Sequence, residues 1–363
     1  MEFRKGTMEN LVARPRLPDP AFWRGKRVLL TGHTGFKGAW LAHWLSAMGA
    51  QVHGLALAPA TLPNLFEGLS LPDLRHQLAD IRDVETVKRS FQQAQPEIVL
   101  HLAAQALVRP AYQTPLETLS SNVMGTAHVL DAMRLTPGVR VGVMVTTDKV
   151  YKNLETGQAY PETAELGGHD PYSASKAACE LVIASYRNAF LQEMDIRIAS
   201  ARAGNVIGGG DWSQDRLLPD AVKAWHLEQE VLIRRPDAVR PWQHVLEPLC
   251  AYLCLAESLW ADARFANAWN FGPDSAASVR EVVQTAHAAF GRGELRFATQ
   301  PEGPHEAGLL ALDASKARAE LNIYGRWQLT QTVQRTMDWY QQFYQGVPAA
   351  QLCDRDLQDF LQA

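Results

Sequence analysis

Apolar and polar positions alternate along this chain in two rhythms. Short apolar runs recur at residues 28–30, 51–57, 97–102, 139–145 and 196–201, each the length of a buried strand. Between them the spacing turns helical. Trp40, Leu41, Trp44, Leu45 and Met48 fall on one helical face, and Gly49 stops that helix. A short segment at 75–79 precedes a helical stretch at 84–93. A helix begins at Asn122 and runs towards Met133, and another opens at Pro171-Tyr-Ser-Ala-Ser-Lys176 and continues through Leu181 and Tyr186. Strands alternating with helices predict an α/β fold with a doubly wound parallel sheet. After about Gly208 the alternation loosens, with prolines and arginines in loops and helices over 221–228 and 249–259. That part predicts a smaller C-terminal substrate domain with some strands returning to the main sheet. The expected division is a polar tail at 1–22, a cofactor domain at 23–207, a partly interleaved substrate domain at 208–345 and a C-terminal segment at 346–363.

The first strand runs into Thr31-Gly-His-Thr-Gly-Phe-Lys-Gly38, with Gly32, Gly35 and Gly38 at three-residue spacing before a helix. A strand, a glycine turn and a helix N-terminus make a pyrophosphate site of the Rossmann type. The glycines admit the backbone to the phosphates, and the helix dipole attracts their charge. The spacing G-x-x-G-x-x-G differs from the common dinucleotide fingerprint. An acid at the end of the second strand would bind the adenosine ribose, but Ala56-Leu-Ala-Pro59 offers none, so NAD and NADP stay open locally. His33 and Lys37 lie in the loop where pyrophosphate or ribose would pass, and Lys37 reads as a solvated lysine rather than a 2′-phosphate ligand. The small residues of His101-Leu-Ala-Ala-Gln105 would let a cofactor lie against that strand end.

Composition acts mainly by exclusion. With 363 residues, 47% hydrophobic and 20% charged, the chain can bury a sizeable core. A formal net charge of −4 gives no reason to expect a nucleic-acid partner. No run reaches the ~18 apolar residues of a membrane span. Residues 1–20 carry Pro15, Pro18 and Pro20 and no apolar secretory core, so a cytoplasmic location is expected. Cys179, Cys250, Cys254 and Cys353 lack metal-site or disulfide spacing, and no metal is expected. Cys250 and Cys254 read as core thiols on an apolar helix.

Chemistry enters with Tyr172-x-x-x-Lys176, which sets two side chains one helical turn apart on one face. A nearby ammonium and the positive nicotinamide of an oxidised cofactor would favour the phenolate. Such a tyrosine can take a proton from a sugar hydroxyl while hydride leaves the same carbon. Between this pair and the glycine loop, the strand at 139–145 delivers Thr146-Thr-Asp-Lys149 at its carboxyl end.

Taken together with Ala201-Arg-Ala-Gly-Asn-Val-Ile-Gly-Gly-Gly-Asp-Trp212, Arg240-Pro-Trp-Gln-His-Val-Leu-Glu-Pro248, Asn270-Phe-Gly-Pro273 and Pro304-His-Glu-Ala307, these motifs resemble the extended short-chain dehydrogenase/reductases. Within them the chain is similar to the nucleotide-sugar 4,6-dehydratases, the CDP-glucose branch nearest. The resemblance runs from about Trp23 to Tyr344. It implies NAD as cofactor, CDP-glucose as substrate, and conversion to a 4-dehydro-6-deoxy sugar that feeds dideoxyhexoses of bacterial surface polysaccharide. Another dehydratase or epimerase of the fold, acting on dTDP-glucose or GDP-mannose, is the alternative, and a catalytically dead binding protein is a third reading. The Thr147-Asp148 pair favours dehydration.

By resemblance Tyr172 is the base at C4, Lys176 lowers its pKa and holds the ribose, Thr147 bonds the C4 oxygen and Asp148 protonates the departing C6 hydroxyl. The dTDP-glucose enzymes have Glu as C5 base where this chain has Lys149, which acts as a base only when neutral and otherwise as a cation beside the enolate. Implied cofactor contacts are Gly32, Gly35, Phe36, Lys37, Gly38, Asp80, Ile81, Leu102, Ala103, Ala104 and Asn122, with Tyr172 and Lys176. Implied substrate contacts are Gln105, Asn205, Arg216, Arg234, Arg240, His244 and Asn270. Paired helices starting at Asn122 and Tyr172 imply a homodimer or a dimer of dimers.

Overall fold

The computed structural model describes residues 15–273, 275–300 and 308–363. The motif Pro304-His-Glu-Ala307 and residues 1–14 lie outside them. Seven parallel strands form the central sheet: β1 Arg27–Thr31, β2 Gln51–Ala56, β3 Arg75–Leu78, β4 Ile98–His101, β5 Val141–Val145, β6 Arg197–Ala203 and β7 Ala268–Phe271. Their order is β7-β6-β5-β4-β1-β2-β3. The winding reverses between β1 and β4, which pair from Val28↔Ile98 to Thr31↔His101. A cleft opens at such a switch point, beyond the carboxyl ends of the strands.

Both sheet faces are covered, which explains why the strands read as continuous apolar runs rather than alternating ones. Val28, Leu30, Ile98, Leu100, Val143 and Ala201 face one core, where helix α1 (Phe36–Ala47) packs. Leu29, Val99, Met144 and Ile198 face the other. There lie helix α2 (Val84–Ala94) and two long helices. One, α3, is continuous through Pro115–Leu119, the π turn Ser120–Met124 and Gly125–Leu135. The other is α4, Pro171–Tyr186. Asn122, expected at a helix start, thus sits mid-helix. Pro115 at the first helical position, where its missing N–H costs nothing, is the true start.

The second lobe carries the helix Leu217–His226, the parallel pair Glu230–Ile233 with Glu294–Phe297, and the helix Val279–Phe290. The chain returns to the main sheet through β7, which pairs with β6. Helix α5, Leu246–Ala261, packs on β5 and β6, so it belongs to the sheet although its sequence lies in the later region. Two terminal pieces also join the body. Within the expected tail, Arg16 reaches Glu257 of α5 at 2.9 Å, and Asp19 N and Trp23 Nε1 donate to the same carboxylate at 2.7 and 2.9 Å. The C-terminal helix Ala349–Gln362 sets Phe360 edge-on to Trp44 of α1, with ring centres 5.9 Å apart.

Candidate active site

The glycine turn is shaped by close backbone approach. Gly32 has φ +78°, and a Cβ there would stand 2.7 Å from Ala103 N. A Cβ on Gly38 would stand 2.0 Å from Gly32 O, so only glycine lets α1 start against the loop. Thr31 Oγ1 accepts from Leu102 N and Ala103 N at 3.2 and 3.1 Å, tying the ends of β1 and β4 together. Its hydroxyl is then left to donate to His101 Nδ1 at 2.7 Å, which puts the imidazole proton on Nε2, 3.1 Å from Thr126 Oγ1. Burial and the Lys176 ammonium push His101 down to about 3, so it stays neutral. Helix α1 opens on Gly35 with no side-chain cap, which leaves its first amides to an anion. The cradle fits a dinucleotide pyrophosphate.

The carboxyl end of β5 delivers the chemistry. Thr147 Oγ1 caps the short turn Asp148–Val150 and donates to Asp148 Oδ1 at 2.9 Å. Asp148 is fully buried, and Lys149 Nζ donates to the same Oδ1 at 3.2 Å. Asp148 Oδ2 has no hydrogen-bond partner. Tyr172 enters at the start of α4, where Pro171 takes the first position and Asp170 accepts from Ser173 N at 3.0 Å. Burial pushes its phenol up to about 12, and the groups that offset this are a hydrogen bond with Thr147 and the Arg216 guanidinium. Lys176 is buried, which lowers its pKa, and its Nζ donates to Val145 O at 3.3 Å. Tyr172, Thr147, Asp148 and Lys149 therefore form one connected set of donors and acceptors.

A cavity of about 600 Å³ meets this set at Lys149 and is lined by residues from both parts of the chain. Lys149, Asn205, Arg216, Arg234 and Arg240 all line it. Arg109, not anticipated from the sequence, lines it too and shares Asp215 with Arg234, at 3.3 and 3.2 Å. Its only sequence signal was a cation soon after the β4 end.

Three expected substrate contacts face elsewhere. His244 is fully buried between Trp40 and Trp327, with Nδ1 accepting from Leu246 N at 3.3 Å. Asn270 spends its side chain on Tyr151 Oη, Tyr160 O and Asp313 O. Gln105 bonds Leu107 and Thr118, which folds its own loop.

The cofactor candidates also divide. Phe36 and Lys37 begin α1, and Leu102, Ala103 and Ala104 form the facing β4 end. Asp80 binds Arg82, and Ile81 packs beneath Gly125. Asn122 clamps Gln105 by its backbone N–H and carbonyl and donates to Ser175 Oγ at 2.8 Å. Lys37 is half-buried rather than a fully solvated loop lysine; it lies near Arg216, Asp148, Lys176 and Lys149, and burial takes it down to about 8. His33 is buried against Phe66 and His76 rather than lying along the loop surface, and burial holds it at about 4. Among the described residues no His, Cys, Asp or Glu group could hold a metal ion, and no helix is long and apolar enough to cross a membrane.

Fold and cradle define a dinucleotide-binding α/β protein of the extended short-chain dehydrogenase/reductase type. The GDP-mannose 4,6 dehydratase family profile matches residues 29–336, and the chain belongs to that family. It is 44% identical over 354 residues to the CDP-glucose 4,6-dehydratase of Salmonella typhimurium, covering 95% of this chain and 99% of that protein. Among solved structures it is similar to the UDP-glucose 4-epimerase of Thermus thermophilus in complex with NAD, with TM-score 0.76 and 25% identity over 87% of this chain and 99% of that one. It is also similar in fold to a dTDP-glucose 4,6-dehydratase of Streptomyces venezuelae, with TM-score 0.74 and 22% identity over 87% of this chain and 97% of that one.

Proposed function

We propose that the chain is an NAD-dependent hydro-lyase that converts CDP-glucose to CDP-4-dehydro-6-deoxyglucose. The observation that carries this reading is the buried acid Asp148, joined to both Thr147 and Lys149, beside a Tyr172 that serves C4. An epimerase needs the tyrosine but has no hydroxyl to expel, and so no use for the acid. The nucleotide assignment rests on the likeness to the Salmonella protein.

When bound in the glycine cradle, NAD supplies the acceptor for the C4 hydrogen and returns it to C6. Burial alone keeps Tyr172 protonated, so the positive charge of a bound oxidised nicotinamide would have to favour the phenolate that takes the C4 hydroxyl proton, with Thr147 holding the same oxygen. The resulting ketone acidifies C5–H. Lys149 Nζ lies 3.2 Å from Asp148 Oδ1, close enough for the proposed step to pass a proton between them. Shifted to Asp148, that proton leaves a neutral amine at Lys149 and an acid at Asp148. The amine then takes the C5 proton while the acid gives its proton to the leaving C6 hydroxyl, and water departs. Lys149 returns its proton to C5 as C6 is reduced, and Tyr172 reprotonates the C4 oxygen only if the ketone is itself reduced, which the product is not. The phenol therefore releases its proton to solvent past Lys176, and the Asp148–Lys149 pair, left one proton short by the departing water, takes one back from solvent. Arg109, Arg216, Arg234 and Arg240 line the cavity and would meet the diphosphate, since guanidinium forks suit its oxygens.

Residues 23–207 would serve as the cofactor lobe and 208–345 as the substrate lobe, in the cytoplasm. Exposed Leu116, Leu119, Met124 and Leu135 on α3 and Leu181 on α4 would seal a homodimer, or a dimer of dimers. A monomer in size exclusion with light scattering would refute the assembly. Incubation with NAD and each of CDP-, dTDP-, UDP-glucose and GDP-mannose, followed by the alkaline absorbance of a 4-keto-6-deoxy sugar, tests the activity. Product from CDP-glucose alone is expected, and product only from another sugar overturns the nucleotide assignment.

A further inference from the structure

Behind the catalytic set lies a buried ionic network that the proposed mechanism does not use. Glu180 follows Lys176 by one turn of α4 and Tyr172 by two, so the three share a face. Both of its carboxylate oxygens are engaged. Thr146 Oγ1 donates to Oε1 at 2.5 Å, and Ser200 Oγ and Arg202 Nη2 each donate to Oε2 at 2.7 Å. Arg202 Nη1 continues to Tyr151 Oη at 2.8 Å and Glu162 O at 3.1 Å, and Tyr151 Oη donates to Asn270 Oδ1 at 2.7 Å. The Glu180 and Arg202 side chains are 3% and 4% exposed. A buried ion pair rarely adds net stability over apolar packing of the same volume. Its placement suggests what it does. It ties α4 to β6, to the turn holding Tyr151, and to Thr146, the residue before Thr147.

We propose that Glu180, held by Arg202, is a positioning residue of the reaction: it sets α4 in register with the Thr147-Asp148 turn and keeps Lys176 an ammonium. This rests on the function proposed above. Two links carry the effect. The Thr146 hydroxyl fixes the end of β5, so that Thr147 meets Tyr172. The carboxylate lies one turn from Lys176, and its charge opposes the loss of the Lys176 proton that burial promotes. The other groups facing Lys176 are Cys179 on its own helix, His101 at the end of β4 and Lys37 at the start of α1. His101 and Lys37 carry no negative charge and burial favours the Cys179 thiol, so Glu180 is the one standing anion among them.

Glu180→Gln keeps the side-chain shape but removes the carboxylate charge one turn from Lys176, which lowers the Lys176 pKa. The alkaline limb of the kcat profile should therefore move down by about one pH unit, the low end of the effect of a close charge. The fall in kcat should be at least ~10-fold with KM for CDP-glucose unchanged, since misalignment acts on the reacting geometry. Thr146→Val cuts only the hydroxyl link and should lower kcat without moving the limb. NAD affinity by calorimetry, followed over the same pH range, gives a readout without turnover: its alkaline fall should move with the limb. Wild-type protein that binds NAD but does not turn over CDP-glucose refutes the parent function, while the binding arm still decides the role of Glu180. A folded Glu180→Gln whose limb and NAD-binding profile match wild type overturns the proposal, whatever its kcat. If that variant does not fold, wild-type kcat in Thr146→Val overturns it.

Discussion

Replacing Asp148 by Asn isolates the elimination step. The carboxylate is fully buried, and its only hydrogen bonds are two at Oδ1, from Thr147 at 2.9 Å and Lys149 at 3.2 Å. An amide oxygen placed there keeps both donors. The amide nitrogen then falls at the Oδ2 position, which lacks a partner. Losing the charge removes attraction to Lys149, which is 27% exposed and partly screened, and also removes the desolvation cost of a buried carboxylate. These oppose each other, so folding stability should change by no more than about 1 kcal/mol. The chemical effect is larger, because the amide cannot protonate the leaving hydroxyl. Loss of a general acid costs ~10²–10⁴ in rate, or about 2.7–5.4 kcal/mol of barrier. Oxidation at C4 is spared, so in a single-turnover mix the near-ultraviolet absorbance of reduced nicotinamide should appear and persist, with the sugar held at the 4-keto-glucose stage. Formation of 6-deoxy product at the wild-type rate would show that Asp148 is not the acid and would make Lys149 the leading candidate. Absence of any cofactor reduction would mean that Asp148 serves the first step or the local structure, and the division of labour drawn here would be wrong.

Tyr172→Phe keeps the ring and removes the proton acceptor, so turnover should fall at least ~10²-fold with nucleotide-sugar binding largely intact, checked by steady-state kinetics and calorimetry. Gly38→Ala would press a methyl group to 2.0 Å from Gly32 O. NAD binding should be lost or weakened at least ~10-fold by calorimetry, with the far-ultraviolet dichroism retained. His244, held at about 3 by burial against an ordinary 6.5, is neutral in the fold but takes up a proton on unfolding below pH 6.5. Its contribution is thus complete above 6.5 and is lost as pH falls towards 3, amounting to about 2 kcal/mol at pH 5. His244→Phe should therefore lose about that much less stability than wild type between pH 7 and pH 5 in urea titrations, and equal losses would refute the linkage.

How far the sequence carried depended on whether a feature was local. The strands after Arg27, Gln51 and Val141 and the helix after Pro171 were legible because burial on both faces writes long apolar runs and Pro171 marks a first turn. The glycine cradle was legible for the same reason: its constraint lies within Gly32–Gly38, apart from the approach of Ala103. Tyr172 and Lys176 were placed on one face by helix geometry alone. The β4 end and the Thr147-Asp148 turn followed from the rule that ligands sit beyond parallel strands. What the sequence did not show was where polar side chains would turn. His244, Asn270 and Gln105 lie in segments that resemble substrate contacts, but their side chains turn to Trp327, Tyr151 and Thr118, choices made by packing. Lys37 looked solvated until the second lobe brought Arg216 over it. Arg109 became a pocket residue only through Asp215, and Glu180 met Arg202 only because β6 lies beneath α4. Periodicity along a chain specifies which face of an element is apolar, whereas the partner of a buried charge or amide is set by which elements the fold stacks together, and that was decided by tertiary structure alone.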